Sequence, residues 1–177
     1  KALYVGISSY NAEQTRQAGR TLKKLGTPCL IHQPLYNMLS RGPERKLFPL
    51  LEKEGIGCIP FSPLAQGLLT DRYLQGKVST DSRATKPHGY LKKAALTRRK
   101  LGILRELNGL AARRGQSLAA MSLAWVLRQP AVTSVLIGAS RLDQIEANLA
   151  CLGSPGFSDE DLNEILSAVQ DECEGRG

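Results

Sequence analysis

The stretch Leu3-Tyr4-Val5-Gly6-Ile7-Ser8-Ser9-Tyr10-Asn11-Ala12-Glu13-Gln14 changes its pattern halfway along, and that change decides the fold class. Leu3 to Ile7 is a short apolar run of strand length, the pattern of a strand buried on both faces. Asn11 followed three residues later by Gln14 is a capping-box-like pair: the Asn side chain can accept from the Gln14 backbone N–H, and the Gln side chain from that of Asn11. The helix so started is expected to run to Gly26, a residue type that closes helices because it takes left-handed backbone angles without steric cost. A strand feeding directly into a helix is the repeating piece of a parallel sheet.

The same piece recurs outward from there. Cys29-Leu30-Ile31-His32-Gln33 reads as a second strand, followed by Tyr36-Asn37 and a helix with Pro43 near its first turn and Gly55 past its end. Gly57-Cys58-Ile59-Pro60-Phe61 reads as a third strand leading into Ser62-Pro63-Leu64-Ala65-Gln66-Gly67. The polar stretch from Asp71 to Gly89 has weak periodicity, and so long a loop in a compact domain is usually functional or disordered. Helices are expected from about Leu91 to Arg114, and from a cap at Ser117 to the stop at Pro130. Thr133-Ser134-Val135-Leu136-Ile137-Gly138 reads as a fourth strand, Ser140-Arg141 opens a helix toward Leu149, and Ser158 with Asp161 starts a last one. Strands alternating with helices imply a parallel sheet with right-handed crossovers, either open or part of a barrel.

The chain has 177 residues, whereas an eight-stranded α/β barrel typically needs about 250. Its strand-like opening, without an initiator Met or signal-peptide architecture, reads as the middle of something longer. No apolar run approaches the roughly 20 residues that span a bilayer, so a soluble, cytoplasmic protein without membrane contact is expected. The four cysteines form no C-x-x-C pair and read as reduced thiols, with no metal site. The formal net charge of +8 favours an anionic or phosphate-bearing ligand. Nucleic acid is the less favoured partner, because Arg98-Arg99-Lys100 and Arg113-Arg114 lie within a helical pattern without interleaved aromatics and read as a solvated helix face.

Ligands of parallel α/β folds bind where strands end. After the four strands come Ser8-Ser9, then Gln33 with Tyr36-Asn37, then Phe61-Ser62, then Gly138-Ala139-Ser140-Arg141. Each alone has a plainer explanation: Ser8 and Ser9 suit a turn, Gln33 a buried backbone group, Phe61 the core. Ser140 and Arg141 suit a phosphate site at a helix start, with Gln144 and Asn148 following on the same face to meet a base. Taken locally, a Ser cap beside a surface Arg fits at least as well.

Gly6-Ile7-Ser8-Ser9-Tyr10, Ile31 to Asn37, Phe61 to Thr70 and Val135 to Arg141 resemble, in order, successive signatures of the aldo-keto reductase superfamily. They look closest to the branch containing bacterial glyceraldehyde 3-phosphate reductases and potassium-channel β subunits. The resemblance runs from the first residue to about Leu152. It implies an α/β fold that is part of a (β/α)8 TIM barrel, strands five to eight with their helices, as a single C-terminal half-barrel over 1–177 with the N-terminal half absent.

The resemblance further implies an NADP(H) site. Ser8, Ser9 and Gln33 match residues that bond the nicotinamide carboxamide, and Phe61 the ring that stacks on the nicotinamide. Ser62, Leu64, Gln66 and Gly67 match the loop under the pyrophosphate, while Arg72, Ser82 and Arg83 resemble its clamp from a cofactor-covering loop at 71–90. Gly138 precedes Ser140 and Arg141, which match the 2′-phosphate site, and Gln144 and Asn148 match adenine contacts. Relatives often carry Glu where this chain has Ala147.

The family's Asp, Tyr, Lys and His tetrad belongs to the other half, so no catalytic residue is expected here. His32 and Tyr36 match positions outside it, and His32 reads as structural. The function implied is the cofactor-holding part of a reductase of aldehydes and ketones, inactive as given. The alternative is a non-catalytic NADP(H)-binding or oligomerising half-barrel, pairing with itself or with an N-terminal half.

Overall fold

The computed structural model describes residues 2–74 and 96–174, the last four of these by backbone alone. They fall into two compact units, Lys1–Pro63 with Val126–Gly138 and Leu64–Trp125 with Ala139–Gly177.

The first unit holds β1 (Val5–Ser8), α1 (Ala12–Lys24), β2 (Cys29–Gln33), α2 (Pro43–Glu54) and β3 (Gly57–Cys58). The three strands form a parallel sheet in that order, with Gly6 opposite Ile31, Ser8 opposite Gln33 and Ile31 opposite Gly57. A side chain at Gly6 would bring its Cβ within 2.8 Å of Ile31 Cγ2, and one at Gly57 within 3.6 Å of Ile31 Cγ1. Gly6 therefore makes room for the branched Ile31 side chain, whereas the tight neighbour at Gly57 is Thr133 Oγ1, 3.1 Å from where a Cβ would stand. His32 and Cys58 are fully buried, while α1 contacts β2 and α2, and α2 contacts β3.

The local signals for the helices hold. Asn11 and Gln14 form the reciprocal capping box, α2 has Pro43 in its first turn, and Gly55 ends it with φ 64°. Tyr36, fully buried, packs edge-on against Phe48 with ring centroids 4.8 Å apart. Its hydroxyl donates to Glu44 at 2.6 Å, and Arg41 grips the same carboxylate through Nε and Nη2.

Three strands differ from expectation, the third being confined to Gly57–Cys58 where a run to Phe61 was expected. Leu3 and Tyr4 are 92% and 75% exposed, and β1 starts only at Val5. Along β1 half-buried residues alternate with exposed ones, so the burial predicted for both faces is absent. The expected fourth strand is an extended segment instead. Val132 bridges Cys58, the Thr133 and Ser134 amides both donate to the Cys58 carbonyl, and the Leu136 amide donates to the Pro60 carbonyl at 3.0 Å. Pro60 has no N–H to return, which leaves this contact running in one direction.

The second unit contains α3 (Arg98–Arg113), α5 (Leu142–Leu149) and α6 (Asp159–Glu174) and most of α4 (Leu118–Leu127). Thr97 caps α3, Ser117 caps α4, and Ser158 with Asp161 caps α6. Ile103, Leu104, Leu107, Met121, Leu123, Trp125 and Ile165 are buried. No helix among the described residues is long and apolar enough to cross a membrane.

Of the basic pair ending α3, only Arg113 lies on a solvated face. Arg113 pairs with Glu164 at the surface, but the Arg114 side chain is 8% exposed, pairs with Asp161 and donates to the carbonyls of Pro155 and Gly156. Its guanidinium also lies 4.1 Å from the centre of the Phe157 ring. A planar fork satisfies several acceptors at once, and that draws it inward. Arg114→Ala leaves Asp161 without this partner and is expected to lower stability by about 2–4 kcal/mol. Arg114→Lys should recover only part of that loss in urea unfolding.

Candidate functional site

Parallel pairing puts the ends of β1, β2 and β3 at one end of the sheet, and the corners that follow β1 and β3 have unusual backbones. Ser9 has φ 60° and Ser62 φ 54°, values that side-chain-bearing residues adopt only at a cost. The Ser9 corner closes on the Gln33 carbonyl, which accepts from the Ser9 amide at 3.1 Å and from Ser8 Oγ at 2.9 Å. Ser8, Ser9 and Gln33 therefore come together, with both serines exposed and the Ser8 oxygen lone pairs still able to accept. Phe61 is half-buried, bridges Leu35, and donates its amide to the Pro34 carbonyl at 3.0 Å. Gly138 is exposed at the end of the extended segment.

Two buried side chains brace these corners, and the sequence reading gave neither that role. His32, wholly buried, has Nε2 3.2 Å from the Tyr10 carbonyl. Asn37, 1% exposed, donates from Nδ2 to the Ser62 carbonyl at 2.9 Å and accepts the Leu39 amide on Oδ1. The available signal was a polar residue inside or just after an apolar strand. Burial pushes the His32 pKa below its ordinary value, an effect only partly opposed by the Tyr10 carbonyl. Burial and the neighbouring Glu44 carboxylate hold the Tyr36 phenol above its usual range, and burial pushes the Cys58 thiol up to about 12. Cys29, Cys58 and Cys151 are free, buried thiols. The described residues contain no cluster of three metal-ligating side chains.

In the second unit, Leu64, Gln66 and Gly67 share one tight turn. Ala65 has φ 47°, Gln66 61° and Gly67 92°, and the Gly67 and Leu69 amides both donate to the Leu64 carbonyl. Thr70 Oγ1 donates to the Gly67 carbonyl at 2.7 Å, and Arg72 is exposed just beyond. Ser82 and Arg83 lie outside the described residues, as does the 71–90 loop from residue 75 onward.

The start of α5 differs from the simple phosphate cradle. Arg141, not Ser140, is the cap position, and its side chain makes no cap bond. Its guanidinium instead grips Asp143 through Nε at 2.9 Å and Nη2 at 2.8 Å. The Ser140 amide donates to Gln144 Oε1 at 2.9 Å, while Ser140 itself is exposed and Asn148 is buried. Hydrogen bonding to each other raises the Arg141 pKa and lowers that of Asp143. Ser140, Arg141 and Gln144 are thus brought together, each with a partner inside the chain.

Chain geometry defines an α/β protein with a parallel sheet and polar corners where its strands end. Comparison with known proteins carries this further. Residues 1–170 match the Aldo/keto reductase family, and the chain belongs to it. It is 47% identical over 176 residues to L-glyceraldehyde 3-phosphate reductase of Escherichia coli (strain K12), an alignment covering 97% of this chain and 50% of the relative. It is 35% identical over 176 residues to a probable voltage-gated potassium channel subunit beta of Oryza sativa subsp. japonica, covering 96% of this chain and 53% of that one. A protein of the same description in Arabidopsis thaliana is 36% identical over 154 residues, 84% of this chain and 46% of its own length. The chain spans about half the length of the curated relatives it matches.

The buried histidine yields a pH expectation. With the folded pKa below 6.5, the unfolded chain takes up a proton first as pH falls. The stability that neutral His32 contributes is complete above 6.5 and declines below it, toward the folded value. Urea midpoints should therefore fall between about pH 7.5 and about pH 5.5, and fall less in His32→Gln. An equal fall in both proteins would assign the titration to another group.

Proposed function

We propose that this chain is the cofactor-holding portion of an NADP(H)-dependent aldo/keto reductase, equivalent to barrel strands five to eight with their helices. The observation carrying the reading is where strain sits. All four non-glycine residues with positive φ among the described residues, Ser9, Ser62, Ala65 and Gln66, lie in the two loops expected to meet the cofactor. Strained backbone persists where surrounding structure holds it, and it gathers at binding sites.

The donor set fits a dinucleotide in parts. Ser8, Ser9 and Gln33 offer hydroxyls and an amide to the nicotinamide carboxamide, and the half-buried Phe61 offers a ring for stacking. Ser62, Leu64, Gln66 and Gly67 form the pyrophosphate loop, with Arg72, Ser82 and Arg83 of the 71–90 loop as its cover. Gly138 leads to Ser140 and Arg141 at the 2′-phosphate, and Gln144 and Asn148 face the adenine. When bound, the cofactor supplies the hydride that reduces an aldehyde or ketone. The protein's share of this is to hold, orient and shield it. Proton donation by the family's tetrad falls to the other half, so the chain as given is inactive, and a cytoplasmic location suits a pyridine-nucleotide enzyme.

Arg141 tests the phosphate assignment. Arg141→Ala should weaken NADPH about tenfold or more in fluorescence titration and leave NADH nearly unchanged. Asp143→Asn, which removes the internal competitor for the guanidinium, should tighten NADPH by up to about fivefold, the range expected of an exposed ion pair. Equal effects on NADH in either variant would defeat the assignment.

A second reading, a half-barrel that pairs with another copy or with an N-terminal half, is favoured by exposed apolar side chains in the first unit. Leu30 and Leu136 are 52% and 41% exposed there, in addition to Leu3 and Tyr4. Light scattering coupled to gel filtration should then give a mass above that of one chain, and Leu30→Glu with Leu136→Glu should return it to one. A monomer at every concentration would remove self-pairing.

A further inference from the structure

We propose that His32 is a positioning residue for the cofactor, holding the Ser8-Ser9 corner in its strained form. This rests on the reading that the corner meets the nicotinamide carboxamide. A carbonyl oxygen only accepts, so the 3.2 Å contact to Tyr10 requires the proton on Nε2. Nδ1 is then an acceptor, buried and without a hydrogen-bond partner among the described residues. An unsatisfied buried acceptor costs stability, and an apolar side chain at this place in the strand would avoid that cost. What the imidazole gives in return is one N–H donated to the carbonyl of Tyr10, the residue after Ser9.

The geometry shows why that bond matters. Ser9, at φ 60°, is held on one side by its own amide donating to the Gln33 carbonyl. On the other side the Tyr10 carbonyl meets His32 Nε2. Gln33 and His32 are neighbours on β2, so one strand grips the corner both before and after the strained residue. Without the imidazole bond the Tyr10 peptide can rotate, Ser9 can relax to ordinary φ, and the Ser8 and Ser9 hydroxyls lose their fixed spacing. Asn37 on the same segment treats the Ser62 carbonyl alike.

The experiment compares the full chain with His32→Gln, whose side-chain amide can place an N–H where Nε2 stands, and with His32→Leu, which has none. Amide hydrogen exchange is read at Ser9, and binding is measured for NADPH and for 2′,5′-ADP, which lacks the nicotinamide. In His32→Leu the Ser9 amide should exchange at least about tenfold faster, while the Ile31 and Cys58 amides, deeper in the sheet, keep their rates. NADPH should weaken by about five- to tenfold while 2′,5′-ADP binds as before, and His32→Gln should restore both properties. General destabilisation would weaken both ligands and speed all three amides, and that result overturns the positioning role, as does an unchanged Ser9 rate in His32→Leu. An unsubstituted chain that binds 2′,5′-ADP but gains nothing from the nicotinamide overturns instead the carboxamide reading on which the proposal rests, a failure visible before any variant is made.

Discussion

The two-sided pairing of β2 is the constraint on which the rest depends. Its backbone is bonded to β1 on one side and β3 on the other, and Ile31 fits against β1 because Gly6 has no side chain to exclude it. That pairing fixes the level at which each strand stops. The corners after β1 and β3 then arrive beside Gln33 and Pro34, whose carbonyls accept from the Ser9 and Phe61 amides. Polar groups that would otherwise belong to separate loops share one edge because a single strand sets the register for its neighbours.

Much of this was legible from residue order. The capping box at Asn11, the proline opening α2 and the glycine closing it are local devices whose geometry depends on a few consecutive residues, and all occur as read. Strand extents were less legible, because pairing is decided by partners far along the chain. Val135 to Gly138 has every local mark of a strand, but the facing segment contains Pro60, which cannot donate in return. Leu3 looks buried by composition and is not, since burial depends on what covers it.

The same distinction governs the site. Residues next to one another after a strand, such as Ser8 and Ser9, could be picked out from position alone. The pairing of Arg141 with Asp143 could not, because an i,i+2 contact across a helix cap depends on the backbone angles of the cap. The brace from Asn37 to Ser62 spans 25 residues and appears only once the fold brings them together. Arg114 was misjudged for a related reason: a charge run indicates solvent in general, yet a guanidinium with carbonyls, a carboxylate and a ring around it is better satisfied inside.

Arg114 also ties distant parts of the second unit into one cooperative piece. A single side chain joins the end of α3, the carbonyls of Pro155 and Gly156, and the first turn of α6. Fraying of α6 from its N-terminal end therefore costs the pairing of Asp161 with Arg114 as well as the helix's own backbone bonds. Movement of α3's last turn would disturb all of these contacts together, because they meet on one guanidinium.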